Sequence, residues 1–195
     1  MLKHLLFSVL IIAGGYYYWT TRPITHGPGE MAPNKPKQEK AFGVKDIQHK
    51  NYTVSPLAKF EMQARVLAKK AYYADKQSDI LPYDVVFGWG PMSDERNLDH
   101  ILIKQSNRDY KWEMTRPPIP EKQMKLYSAN MHLIPANLMI KEKLGELREG
   151  HIVKIKGLLV KVSSDKGWEI KSSLSRIDSG SKANEVVWIE SLEIL

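Results

Sequence analysis

Along the chain, Phe60, Met62, Ala64 and Val66 alternate with Glu61, Gln63 and Arg65, a period of two that reads as a half-buried strand. A helical face is also present, because Ser55-Pro56 can open a helix and Phe60, Ala64, Leu67 and Ala71 fall on one side of it. The pattern predicts a strand that passes into a helix near 68–74. Short apolar segments follow at 83–87 and 101–105. Tyr110 and Trp112 alternate with Lys111 and Glu113 in another strand, which Pro117-Pro118 ends. Asn137 can cap a helix with Ile140, Leu144 and Leu147 on one face and Gly150 as its stop. The closing strands are IVKIKGLLVKV, WEIKSSLSR and EVVWIESLEIL. In the first, the apolar set changes parity at Gly157, from Val153 and Ile155 to Leu158, Val160 and Val162, which predicts a bulge or coiled bend. The expected fold is mainly β (α+β): a small, strongly curved sheet or partly open OB-like barrel with a few helices.

The first fifty residues follow a different pattern. Leu5 to Trp19, LLFSVLIIAGGYYYW, is uncharged and mainly apolar. Fifteen residues fall short of the roughly 20 of a full span, but Leu2, Thr20-Thr21 and a snorkelling Lys3 bring the run near the lower limit of about 17. Tyr16, Tyr17, Tyr18 and Trp19 suit the aromatic belt where a helix leaves hydrocarbon, and these bulky rings make a poor signal-peptidase site. Residues 1–21 are therefore expected to be a single N-terminal transmembrane anchor, with a cleaved signal or a buried helix as the alternatives. Lys3 ahead of the run favours a cytoplasmic N-terminus, with the domain delivered to the periplasm. Residues 22–50 carry prolines at 23, 28, 33 and 36 and read as an extended linker, either a solvated spacer or an ordered path along the domain. Residues 51–195 form the globular domain.

Charge adds one restriction. The net charge is +7, but residues 1–50 hold 7 Lys/Arg against 3 Asp/Glu and residues 51–195 hold 22 against 19. The domain itself is close to neutral, a weak footprint for nucleic acid. The absence of cysteine excludes disulfides, thiolate nucleophiles and cysteine-based metal sites.

Candidate chemistry concentrates in three places. In SANMHLIPAN, Ser128, Asn130 and His132 occupy every second position. Along an extended segment Ser128 and His132 stand about 13 Å apart, too far for a catalytic pair. They are read as links that pin a strand, with recognition next and chemistry last. Trp89, Gln105, Arg108, Tyr110 and Trp112 combine aromatic area with an amide and a guanidinium, as binding surfaces do. The competing structural reading buries the tryptophans and pairs Arg108 with Asp84 or Asp109. Ser173 and Arg176 mark a third polar set. His100, His132 and His151 show no ligand spacing, and the two S-x-x-K matches at Ser163 and Ser179 lie in turn-like segments. No metal and no cofactor are expected.

The stretches FGWGPMSD (87–94), QSNRDYKW (105–112), SANMHLIPAN (128–137), GLLVKVSSDKGWEIKSSLSRIDSG (157–180) and EVVWIE (185–190) resemble a family of bacterial membrane-anchored proteins of uncharacterised function. GWGPMSD and SANMHLIPA are its most specific motifs, and PGEMAPNKPKQ (28–38) is also similar. The resemblance implies anchoring and a shared domain and supplies no reaction. KANE (182–185) departs from it, standing where relatives are expected to carry a cysteine. The expected function is a membrane-tethered, non-enzymatic binding or scaffold domain of the cell envelope, acting on another envelope protein or component and not on nucleic acid. Two alternatives stand beside it: an envelope hydrolase using His132 with Asp94 or Asp99, and an OB-like nucleic-acid binder.

Overall fold

The structure, a computed structural model, describes residues 2–175 and 185–195. Its elements in chain order are α1 (Leu2–Thr21), β1 (Lys37–Lys40), β2 (Ile47–His49), β3 (Tyr52–Ala71), β4 (Tyr83–Gly88), α2 (Glu95–Leu98), β5 (Leu102–Ser106), β6 (Asp109–Glu113), α3 (Glu121–Leu126), β7 (Ser128–Pro135), α4 (Leu138–Glu146), β8 (Ile152–Ser164), β9 (Glu169–Lys171) and β10 (Glu185–Ile194). The fold is mainly β, a curled sheet with a few helices.

Five strands pair in a closed circuit: β3 with β4, β4 with β7, β7 with β10, β10 with β8, and β8 back to β3. The β7–β10 pairing is parallel and the others are antiparallel. Alternation then sorts side chains into an inside and an outside. Phe60, Met62, Val85, Phe87, Met131, Leu133, Val153, Ile155, Val187 and Ile189 meet in one buried core. Helix α4 closes one end with Ile140 and Leu144, joined by Leu147 just past its last residue, and the Asn137 side chain caps it by accepting the Ile140 N–H.

Two expectations change. The helix predicted near 68–74 is absent, because β3 runs on as strand to Ala71. There it pairs with β4 after a register shift between Val66 and Ala68, and tertiary pairing overrides the local helical face. At Gly157, β8 keeps an unbroken register. The irregularities lie in its partners, between Ile189 and Ser191 of β10 and between Pro56 and Ala58 of β3. Parity changes in the sequence because β8 is buried first on one face and then on the other. Leu158, Val160 and Val162 pack outside the circuit with Val54, Ile80, Leu81 and Trp188 in a second core. Gly157 allows close passage, since a Cβ there would strike the Trp188 carbonyl.

The proline-rich segment is extended, and from Ile24 to Lys40 it follows the ordered path along the domain. Ile24 N–H donates to Glu149 O, and Ala32, wholly buried, accepts from Gly90 N–H. β1 pairs with β3. Helix α1 is continuous, with Leu6, Phe7, Val9, Leu10, Ile11 and Ile12 all exposed. Among the described residues no helix is long and apolar enough to cross a membrane.

Candidate functional site: a buried polar joint beneath a hairpin

β7 sends Ala129, Met131 and Leu133 into the apolar core. Its opposite face carries Ser128, Asn130 and His132, which are nonetheless 4%, 2% and 1% exposed. They are covered by the β5–β6 hairpin, which lies outside the main sheet. The hairpin rests on a third cluster, where Leu67, Val86, Met92 and Met124 meet Ile103, Tyr110 and Trp112.

Each polar side chain of β7 receives a partner from that cover or from β4. Tyr110 hydroxyl and Ser128 Oγ are 3.1 Å apart, and Ser128 Oγ donates to Met124 O. Gln105 Nε2 donates to Asn130 Oδ1 at 3.0 Å and to Asp84 O at 3.2 Å, while Asn130 Nδ2 donates to Arg108 O. His132 Nδ1 stands 2.7 Å from Asp84 Oδ1.

Arg108 fastens the tip of the hairpin. Its guanidinium reaches Asp84 Oδ1 at 2.9 Å and Leu81 O at 2.8 Å, takes both oxygens of Asp75, and lies 3.7 Å above the Tyr72 ring. Asn107 and Arg108 both sit at positive φ, 51° and 65°. That is the backbone of a two-residue hairpin turn which favours glycine at its second place. Arginine stands there because its side chain is needed between Asp75 and Asp84, so local strain is accepted for a tertiary contact.

Burial sets the electrostatics. It pushes the Tyr110 phenol up to about 12. It also raises the Tyr72 phenol, with the negative charge of Asp84 adding to the effect. For Asp75 burial works upward, but hydrogen bonds from Arg108 and the Gln77 N–H outweigh it and hold the carboxyl below the ordinary range.

Of the ten candidate residues, the structure brings together Gln105, Arg108, Tyr110, Ser128, Asn130 and His132, with Trp112 edge-on to Tyr110 at 5.8 Å. Trp89 is elsewhere, 1% exposed in the main core of the curled sheet, so it lines no groove. Ser173 lies apart, past the end of β9 at Lys171, where the strand expected over WEIKSSLSR has stopped, and its Oγ donates to Ser175 O. Arg176 falls outside the described residues. From the sequence Asp84 is expected only as one alternative partner for Arg108, and Tyr72 and Asp75 go unmarked, because no local pattern singles out a loop residue that meets a distant hairpin.

The carboxylates suggested for a hydrolase do not meet His132. Asp94 caps α2, binds Arg96 and accepts the Gly29 N–H. Hydrogen bonds from the Arg96 side chain, against burial, hold it down at about 2. Beside it Arg65, 4% exposed, pairs with Glu95 at 2.6 Å, and Glu95 accepts the His26 N–H, so this second charged group straps residues 24–32 to the domain. Among the described residues no group of three or more His, Asp or Glu could hold a metal.

Compared with family models, with curated proteins and with solved structures, nothing matches this chain.

Proposed function

We propose that the chain is a membrane-tethered, non-enzymatic binding or scaffold domain of the bacterial cell envelope, with its barrel on the periplasmic side. The observation that carries this reading is that the residues best suited to chemistry are spent on one another. His132 and Asp84 are closed off from solvent, and the donors of Arg108 are engaged by Asp75, Asp84 and Leu81 O. A general base must reach a substrate proton, and this histidine meets a structural carboxylate instead.

The five-strand circuit reads as an OB-like barrel. In such barrels the outer face of the second and third strands is a common ligand surface. Here β4 and β7 hold those places, and the hairpin occupies their outer face. This speaks against nucleic-acid binding and shifts partner contact to the outside of the hairpin and neighbouring loops. The partner is another envelope protein or envelope component.

The tether is α1. A helix exposed and apolar all round belongs in an apolar medium. Leu6 to Ala13 would lie in hydrocarbon and Tyr16 to Trp19 at the headgroups, while Lys3 and His4 at one end and the tyrosines at the other dilute its apolarity.

Two experiments test the reading. In the first, the full chain stays with alkali-washed membranes and Ile11→Lys releases it; a chain washed off unchanged would defeat the tether. In the second, photo-crosslinkers at Tyr73 and Leu138, 88% and 75% exposed, capture a discrete envelope partner. Turnover of a cell-wall or ester substrate, lost on His132→Ala, would replace binding with catalysis.

A further inference from the structure

Where α1 meets the domain, a cleft of about 850 Å³ opens between the end of the helix and the α4–β8 connection. That volume lies within the ~300–1,000 Å³ typical of ligand pockets. On the helix side the wall is Tyr16, Trp19 and Thr20; on the domain side it holds Lys69, Arg148, Glu146 and Glu149. The cleft is held open by real contacts. Arg148 Nη1 donates to Trp19 O at 2.8 Å, and Ile24 N–H and the His26 ring reach Glu149 O and Gly150 O just beyond.

From this arrangement we infer that the cleft is a binding site for the headgroup of a zwitterionic aminophospholipid such as phosphatidylethanolamine. The inference rests on the membrane-tethered reading above. Its chemistry comes from the lining charges, which are of both signs. Arg148 has five N–H donors and uses one on Trp19 O, which leaves the rest of the guanidinium for a phosphate. Lys69 stands beside it, its Nζ on the Leu144 and Gly145 carbonyls that end α4. Arg22 stacks 4.0 Å from the ring of Trp19, a residue of the helix wall, but does not itself line the cleft. Glu146 and Glu149 supply carboxylates for an ammonium group. Burial, followed by the charges of Arg148 and Lys69, lowers the pKa of His151, while Glu146 acts in the opposite sense, so these groups share one electrostatic environment.

The helix wall gives the lipid a direction. Trp19, Tyr16, Ile12 and Val9 recur at helical spacing and are all exposed, which continues the cleft as an apolar stripe along α1. A headgroup in the cleft therefore places its acyl chains on that stripe. A purely anionic lipid would leave Glu146 and Glu149 facing phosphate, and a soluble phosphodiester would leave the stripe uncovered.

The test uses the full chain in nanodiscs of equal phosphatidylethanolamine and phosphatidylglycerol, with retained lipid read by native mass spectrometry. Phosphatidylethanolamine should be retained preferentially. Its retention should fall about tenfold in Arg148→Gln, the loss of one charge-assisted contact, and the preference should vanish in Glu146→Gln. Glu146 is exposed, so that second variant keeps the fold even if the first loosens the helix. Equal retention of the two lipids, or retention indifferent to both variants, would overturn the site while leaving the tether standing. Displacement by water-soluble glycerophosphoethanolamine at matched concentration would assign the cleft to a soluble phosphodiester and overturn the lipid. Failure of the chain to enter nanodiscs would remove the tether and the site with it.

Discussion

The two faces of β7 are equally buried and chemically opposite. Inside the circuit, Met131 and Leu133 pack among aliphatic and aromatic neighbours; outside it, Asn130 and His132 are shut beneath the hairpin in hydrogen bonds. The apolar face is non-directional and tolerates change in proportion to volume. The polar face is directional, and one missing partner leaves the others desolvated without compensation. A strand with alternating polarity is ordinarily half-exposed. Here the alternation separates two kinds of interior.

The sharpest way to break this comparison is Asp84→Ala. It leaves His132 without its carboxylate and Arg108 with Asp75 and Leu81 O alone, and removing one member of a buried charged pair costs about 3–5 kcal/mol. Urea unfolding should show that loss, and amide exchange should place it first in β5–β6. A loss below about 1 kcal/mol, the range of an exposed pair, would show that the joint is not a unit. Leu133→Ala, next to His132 on the opposite face of β7, should cost about 2–5 kcal/mol through cavity formation. Its effect should appear in global unfolding, with the hairpin no more open than the main sheet.

The sequence makes the comparison visible only in part. Ser128, Asn130 and His132 share a face by simple alternation, and Asn137 announces α4 by its cap, so both are local signals. The partner Asp84 lies 48 residues from His132, and nothing near it distinguishes a joint from a solvated strand residue. The helix predicted near 68–74 fails for a related reason, since the helical face of Ala64, Leu67 and Ala71 is overridden by pairing with β4. At Gly157 the parity change is genuine, but its cause is a second core assembled from Val54, Ile80 and Trp188, contributed by three distant segments. What local periodicity conveys is which residues dislike water, and long-range pairing decides which of two interiors receives them.

Tyr110 allows a gentler test. Its phenol is held at about 12 in the folded chain, above the ordinary value of about 10. For a raised pKa, the stabilising contribution is complete below about pH 10 and is lost as the pH climbs toward about 12, because the unfolded chain ionises first. Stability should therefore fall across that window. Tyr110→Phe should remove this part of the alkaline sensitivity and cost about 1 kcal/mol at neutral pH through the hydrogen bond to Ser128. An unchanged alkaline profile in the phenylalanine variant would mean that the Tyr110 hydroxyl is not sealed between the hairpin and β7.

The smallest expected effect comes from Asn107→Gly at the hairpin tip. Asparagine already tolerates the left-handed backbone at φ 51°. Glycine would relax what strain remains but would add freedom to the unfolded chain, and the two effects oppose each other. The net change in stability should stay within about 0.5 kcal/mol. At the next position the same replacement removes the guanidinium from Asp75 and Asp84, so Arg108→Gly should behave like Asp84→Ala although its backbone is more comfortable. If instead the two glycine variants match, the turn would hold the hairpin and the polar face of β7 would be filling, not fastening. A wide separation between them would place the hold in the side chains that cross from the hairpin to β4 and β7.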